Sequence, residues 1–111
     1  MSDGNLLTGI DPSASAELFQ DLLTLPGVRI ERIVSTGQAS PAGFWYDQGW
    51  AEWVLVVAGS AAVQFEDEAE ARSLAPGDYL YIAPNRRHRV IWTAPDLPTV
   101  WLAVHVGEGK S

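Results

Sequence analysis

Residues 51–93 read AEWVLVVAGSAAVQFEDEAEARSLAPGDYLYIAPNRRHRVIWT, and this stretch decides the fold. Short runs rich in β-branched and aromatic residues, Glu52 to Ala58, Ala61 to Phe65, Tyr79 to Ile82 and Arg89 to Thr93, alternate with turn-forming groups at Gly59-Ser60, Asp67-Glu68, Pro76-Gly77-Asp78 and Pro84-Asn85. No helical period intervenes between them. Strands this short and this closely spaced make a sandwich or barrel rather than a parallel α/β sheet. The pattern continues in both directions: Val28 to Val34 alternates, Gly43 to Gln48 is a further strand, Ala94-Pro95-Asp96 is a turn, and Val100 to Val106 is the last strand. The expected class is all-β.

Upstream the pattern changes. From Ser13 or Ser15 to Leu25, the residues Leu18, Phe19, Leu22 and Leu23 fall at helical spacing, a serine is available as N-cap, and Pro26-Gly27 ends the run. The spacing predicts one short packing helix. The expected organisation is therefore an N-terminal segment with this helix over 1–27, a β-barrel over 28–106, and a loose tail over 107–111.

At 111 residues and 47% hydrophobic, the chain holds one core and is too short for two domains. It has no cysteine, which excludes disulfides and thiolate metal sites and points to a reducing, cytoplasmic setting. No signal-peptide pattern or bilayer-length apolar run is present, so no membrane association is expected. A formal charge of −7 repels a phosphate backbone, so no nucleic-acid partner is expected either. Of six arginines, Arg86, Arg87 and Arg89 flank His88, with Asp78, Asp96 and Glu66 as candidate partners. The run Trp53 to Ala58 is apolar on both faces, whereas an antiparallel sheet usually has one face in water. The helix or a second subunit must cover the surplus, and with five tryptophans in the chain a homodimer is expected.

Two spacings carry a family resemblance. Glu52 is followed after six residues by Gly59, and Gly77-Asp78 is followed by Tyr79-Leu80-Tyr81-Ile82, a proline and then His88. This frame resembles the two motifs of the cupin superfamily: Gly, five residues, His-x-His, three or four residues, Glu, six residues, Gly; and Gly, five residues, Pro-x-Gly, two residues, His. The resemblance covers roughly Ser40 to Val106 and implies a jelly-roll (double Greek key) β-barrel of cupin type. Tyr46 and Gln48 stand where the family has its two histidines, with Asp47 between them, and Ala83-Pro84-Asn85 replaces Pro-x-Gly.

Strand alternation puts Tyr46 and Gln48 on one face, and a turn at Gly49-Trp50-Ala51 brings Glu52 and Val54 to the same face. If His88 points inward, Val90 and Trp92 do too. Glu52 and His88 are expected on adjacent strands facing one cavity, and a carboxylate there needs a partner. Two partners are open. One is a divalent metal (Mn, Fe, Ni or Zn) held by Glu52, His88, Gln48 and Tyr46. The other is a metal-free network in which His88, Tyr46 and Gln48 donate to Glu52 and leave a pocket for an organic ligand.

Cupins include isomerases, dioxygenases, lyases, storage proteins and ligand-sensing domains, so the fold does not fix the chemistry. The resemblance implies a small cupin binding a divalent metal and a small anionic organic molecule, as an isomerase, lyase or oxygenase. Arg86 and Arg87 would attract the anion and Trp92 would wall the pocket. The alternative is a metal-free small-molecule binding or sensing module without catalysis. His105 is expected at a surface or strand edge, and Asp47 at the rim, bonded to Arg87 or Arg89.

Overall fold

A computed structural model describes residues 3–107. Its elements are all strands: β1 (Leu18–Leu25), β2 (Val28–Ser35), β3 (Ala51–Ala58), β4 (Ala61–Phe65), β5 (Arg72–Leu74), β6 (Tyr79–Ile82), β7 (His88–Thr93) and β8 (Thr99–Val106). They form two antiparallel sheets, a five-stranded one in the order β1-β2-β8-β3-β6 and a three-stranded one in the order β5-β4-β7. This arrangement is consistent with the expected jelly roll. No helix long and apolar enough to cross a membrane occurs among the described residues.

The expected N-terminal helix is instead β1. Pro26-Gly27, with Gly27 at φ 76°, forms a two-residue turn that folds Leu18–Leu25 back onto β2, from Leu25 opposite Val28 to Leu18 opposite Val34. The register slips between Asp21 and Leu23, which makes Leu22 an extra residue in the ladder. An extra residue breaks the two-residue alternation, and the apolar positions then fall at a spacing that imitates a helix. Two smaller corrections share this dependence on pairing over propensity. The expected strand Gly43 to Gln48 contributes only a single bridge, Tyr46 to His88, and Arg72–Leu74 pairs with β4 as a strand. Residues 108–111 of the expected tail lie outside the described residues.

The core lies between the sheets, where Val54, Val56, Val63, Phe65, Leu80 and Ile82 pack together. Three cross-strand rows line the inner face of the large sheet. Val56, Trp101, Ile33 and Phe19 form the first row; Val54, Ala103, Glu31 and Asp21 the second; Glu52, His105, Arg29 and Thr24 the third. The inner face thus runs from apolar to charged along the strands. On the outer face, Trp53, Leu55, Leu102 and Val104 are half-buried, while Tyr79 and Tyr81 are about 60% exposed. The N-terminal segment covers this face at β2, where Arg32, 5% exposed, donates to the Leu6 and Thr8 carbonyls, and with β1 at the sheet edge rather than a helix across the face, Tyr79 and Tyr81 stay exposed.

Candidate functional site

A cavity of about 240 Å³ opens between the sheets, lined on its apolar side by Phe19, Ile33, Val54, Val63, Val90 and Trp101. Its polar lining comprises Glu17, Arg29, Glu31, Tyr46, Gln48, Glu52, His88 and His105, with Trp50 beside them.

The structure brings together Tyr46, Gln48, Glu52 and His88, all four expected at the site. Glu52 and His88 do not sit on adjacent strands: Glu52 is on β3 of the large sheet and His88 on β7 of the small one, so they face the cavity from opposite walls. Both are buried, with 9% and 5% of their surface exposed. His88 Nδ1 lies 2.9 Å from the Arg86 carbonyl oxygen. A carbonyl only accepts, so Nδ1 carries a proton, and in the neutral ring the lone pair is left on Nε2. Gln48 Nε2 donates to Glu52 Oε1 at 2.8 Å. The Tyr46 ring stacks on His88 with centroids 5.4 Å apart. Burial, followed by the nearby carboxylates of Glu17, Glu52 and Glu31, raises the Tyr46 phenol above its ordinary pKa and keeps it protonated.

Other expected contributors point elsewhere. Arg86 pairs with Asp67 at 3.0 Å and Glu68 at 3.2 Å and lies 3.7 Å over the Phe65 ring, and Arg87 pairs with Glu66 at 2.9 Å. Neither lines the cavity. Trp92 is turned outward by a bulge: Val63 opposes Val90 and Ala62 opposes Trp92, so Ile91 is supernumerary and the facing reverses after it. Asp47 accepts from Asn85 Nδ2 at 3.0 Å rather than from an arginine.

His105 is not at a surface; it is 5% exposed and central to the charged row. Trp50 Nε1 donates to His105 Nδ1 at 2.9 Å, and His105 Nε2 lies 3.1 Å from Glu31 Oε1. An indole N–H can only donate, so the His105 proton sits on Nε2 and is given to Glu31. Arg29 holds the other Glu31 oxygen at 3.0 Å and also reaches Asp21 at 3.2 Å. Burial raises the Glu31 carboxyl, but the His105 hydrogen bond and the Arg29 charge outweigh it and leave the group below its ordinary pKa. Glu17 accepts from Ser35 Oγ, which accepts from Trp101 Nε1 at 3.1 Å. Sequence reasoning missed Glu17, Arg29, Glu31, Trp50 and His105. The usable signal was that His105 shares parity with Trp101 on β8, so a buried Trp101 carries His105 inward.

These bonds test the metal that the cupin frame implies, and the residues do not fit it. Gln48 turns its donor toward Glu52, and both His105 nitrogens are engaged. Of the imidazole and carboxylate ligands that build catalytic metal sites, His88 Nε2 and one Glu52 oxygen remain, with the neutral Gln48 amide oxygen beside them, against three such ligands in a catalytic zinc site. Among the described residues no three His, Cys, Asp or Glu side chains are grouped to hold an ion.

The family profile described as Cupin domain matches residues 33–105. No curated protein matches the chain. Among solved structures, a candidate mannose-6-phosphate isomerase from Ralstonia eutropha JMP134 is 51% identical with a TM-score of 0.92, over 94% of this chain and 96% of that one. A protein from Thermus thermophilus has a TM-score of 0.77 at 16% identity over 96% and 98% of the two chains. A cupin superfamily protein from Desulfitobacterium hafniense DCB-2 has a TM-score of 0.74 at 17% identity over 96% and 92%. The last two share the fold alone.

Proposed function

This chain belongs to the cupin domain family, and on that premise we propose that it is a metal-independent cupin whose barrel interior takes up a small organic molecule. The observation that carries the reading is the pair Glu52 and His88, buried on opposite walls of one cavity with a free oxygen and a free ring nitrogen but, among the described residues, no third histidine or carboxylate grouped with them to hold an ion. Apolar walls with a few convergent polar groups are what a small-molecule site requires.

Thermal unfolding with and without chelator tests the metal clause. A resident ion at about 100 times its Kd would add about 2.7 kcal/mol, or upward of about 10 °C in a domain of this size. The expected shift is nil, both on chelation and on adding Mn²⁺, Fe²⁺, Ni²⁺ or Zn²⁺. A stabilisation of that size by any of the four would overturn it.

The 51% identity to the Ralstonia protein favours a second reading, an isomerase acting on a phosphorylated sugar. Against it stands the charge of the lining: the single guanidinium in the cavity is already bonded to Asp21 and Glu31, and a phosphate would meet three carboxyl groups. Turnover of mannose 6-phosphate by the purified chain, with or without divalent metal, would establish this second reading in place of the first.

We propose further that two copies associate through the outer face bearing Trp53, Leu55, Tyr79, Tyr81, Leu102 and Val104. Sedimentation at tens of micromolar protein should give twice the 12.1 kDa chain mass, and Tyr81→Arg should shift it to the monomer. A wild type that sediments as a monomer removes the dimer.

A further inference from the structure

Resting on the metal-independent reading above, we infer that the cavity's ligand is a small organic cation, a protonated amine or guanidine, rather than an anion or a neutral polyol. Hydrogen-bonding capacity in the cavity decides the class of ligand. The polar atoms left without protein partners include Glu52 Oε2, His88 Nε2, Gln48 Oε1 and the Tyr46 hydroxyl, because Glu52 Oε1 accepts from Gln48 Nε2 and His88 Nδ1 donates to a carbonyl. The Gln48 amide cannot turn over, since its oxygen would then face a carboxylate oxygen. Acceptors therefore outnumber donors: Glu52 Oε2, Gln48 Oε1 and, in the neutral ring, His88 Nε2 accept, while the Tyr46 hydroxyl is the open donor, and Glu52 and His88 are each more than nine-tenths buried. A ligand that displaces water from an acceptor without supplying a donor of its own loses about 1–3 kcal/mol, so the complementary ligand is one that brings N–H groups.

Charge narrows the class. The lining sets Glu17, Glu31 and Glu52 against Arg29 alone, a formal excess of two negative charges. The same three carboxylates contribute to the raised Tyr46 phenol, which registers the negative field inside the cavity. An anion entering here would lose its hydration and gain repulsion. A neutral polyol would satisfy acceptors without using the field. Trp50, Trp101, Tyr46 and Phe19 add aromatic surface, which attracts cations and tolerates their alkyl portion.

The test is calorimetric titration at neutral pH with matched probes: butylammonium, 1,4-butanediammonium and butylguanidinium as cations, 1,4-butanediol as the neutral isostere, and butyrate and inorganic phosphate as anions. Binding is located by the indole N–H resonance of Trp50. At least one cation should bind 10-fold or more tighter than the diol, with no detectable binding of the anions. Glu52→Gln replaces an acceptor with a donor at nearly constant shape and should weaken the cation 10- to 100-fold. If that variant does not fold, the rank order on the wild type decides alone. Tighter binding of the diol, butyrate or phosphate with a shifted Trp50 resonance would overturn the cation while leaving the small-molecule pocket standing. No response of Trp50 to any probe would remove both.

Discussion

Gly59→Ala is expected to destabilise the fold by about 3 kcal/mol or more, read as a lower urea midpoint with unchanged slope. Gly59 has φ +82°, and a Cβ there would lie 2.5 Å from Thr99 Oγ1, 2.6 Å from the Pro98 carbonyl oxygen and 2.6 Å from Thr99 Cα. Two of these atoms are backbone, and the third is held in place, since Thr99 Oγ1 donates to the Ser60 carbonyl at 2.9 Å and accepts from Ser60 N at 3.2 Å. The left-handed backbone costs an alanine about 1–2 kcal/mol, and overpacking adds about 1–3 kcal/mol. Gly43→Ala is the control: its φ is +79° but nothing lies within 4 Å of the added carbon. Equal losses in the two variants would show that the contact with β8 contributes nothing.

Glu31→Ala should cost about 3 kcal/mol, because it strands the His105 Nε2–H and one face of Arg29 in a largely buried row. The sign of the associated pH effect is fixed by the direction of the shift. Glu31 is lowered in the fold from the ordinary 4.5, so its ionised form stabilises the native state above that value, and the contribution is lost as the pH falls through the lower folded value. Glu31→Gln keeps an acceptor for His105 but does not titrate. Its stability in chemical denaturation should therefore fall less steeply than wild type across the acid window below 4.5. A wild type and a glutamine variant with parallel acid limbs would refute the role given to this carboxylate.

Most of the barrel was legible because β3, β4, β6 and β7 are short runs between glycine- and proline-marked turns, and Glu52, Gly59 and His88 kept the spacing of a known frame. The failures share a cause. Leu22 and Ile91 are single extra residues in paired strands, and one extra residue changes the facing of those after it. The first made β1 look helical, and the second turned Trp92 from wall to surface. Bulges are set by the partner strand, which local sequence does not contain. The charged half of the site was hidden by a different effect. In β2 the alternation puts Val28 and Ile30 on one face and Arg29 and Glu31 on the other, which reads as apolar inside and charged outside. The arrangement is inverted here, because Arg29 and Glu31 line the charged end of the enclosed cavity while the outer face carries apolar residues.

The position of β8 between β2 and β3 governs how the protein is made. The centre of the large sheet depends on a strand that follows β2 by about 70 residues, and at ribosomal speeds of roughly 5–20 residues per second that is several seconds of waiting. During that interval the β1–β2 hairpin and β3 each present an unpaired edge, and a two-stranded hairpin alone is marginal in water. Pairing so remote in sequence also slows the folding of the released chain into the range of milliseconds to seconds. The nascent chain thus keeps unpaired strand edges until β8 arrives, and the cavity does not exist before then, since His105 and Trp101 come with that strand.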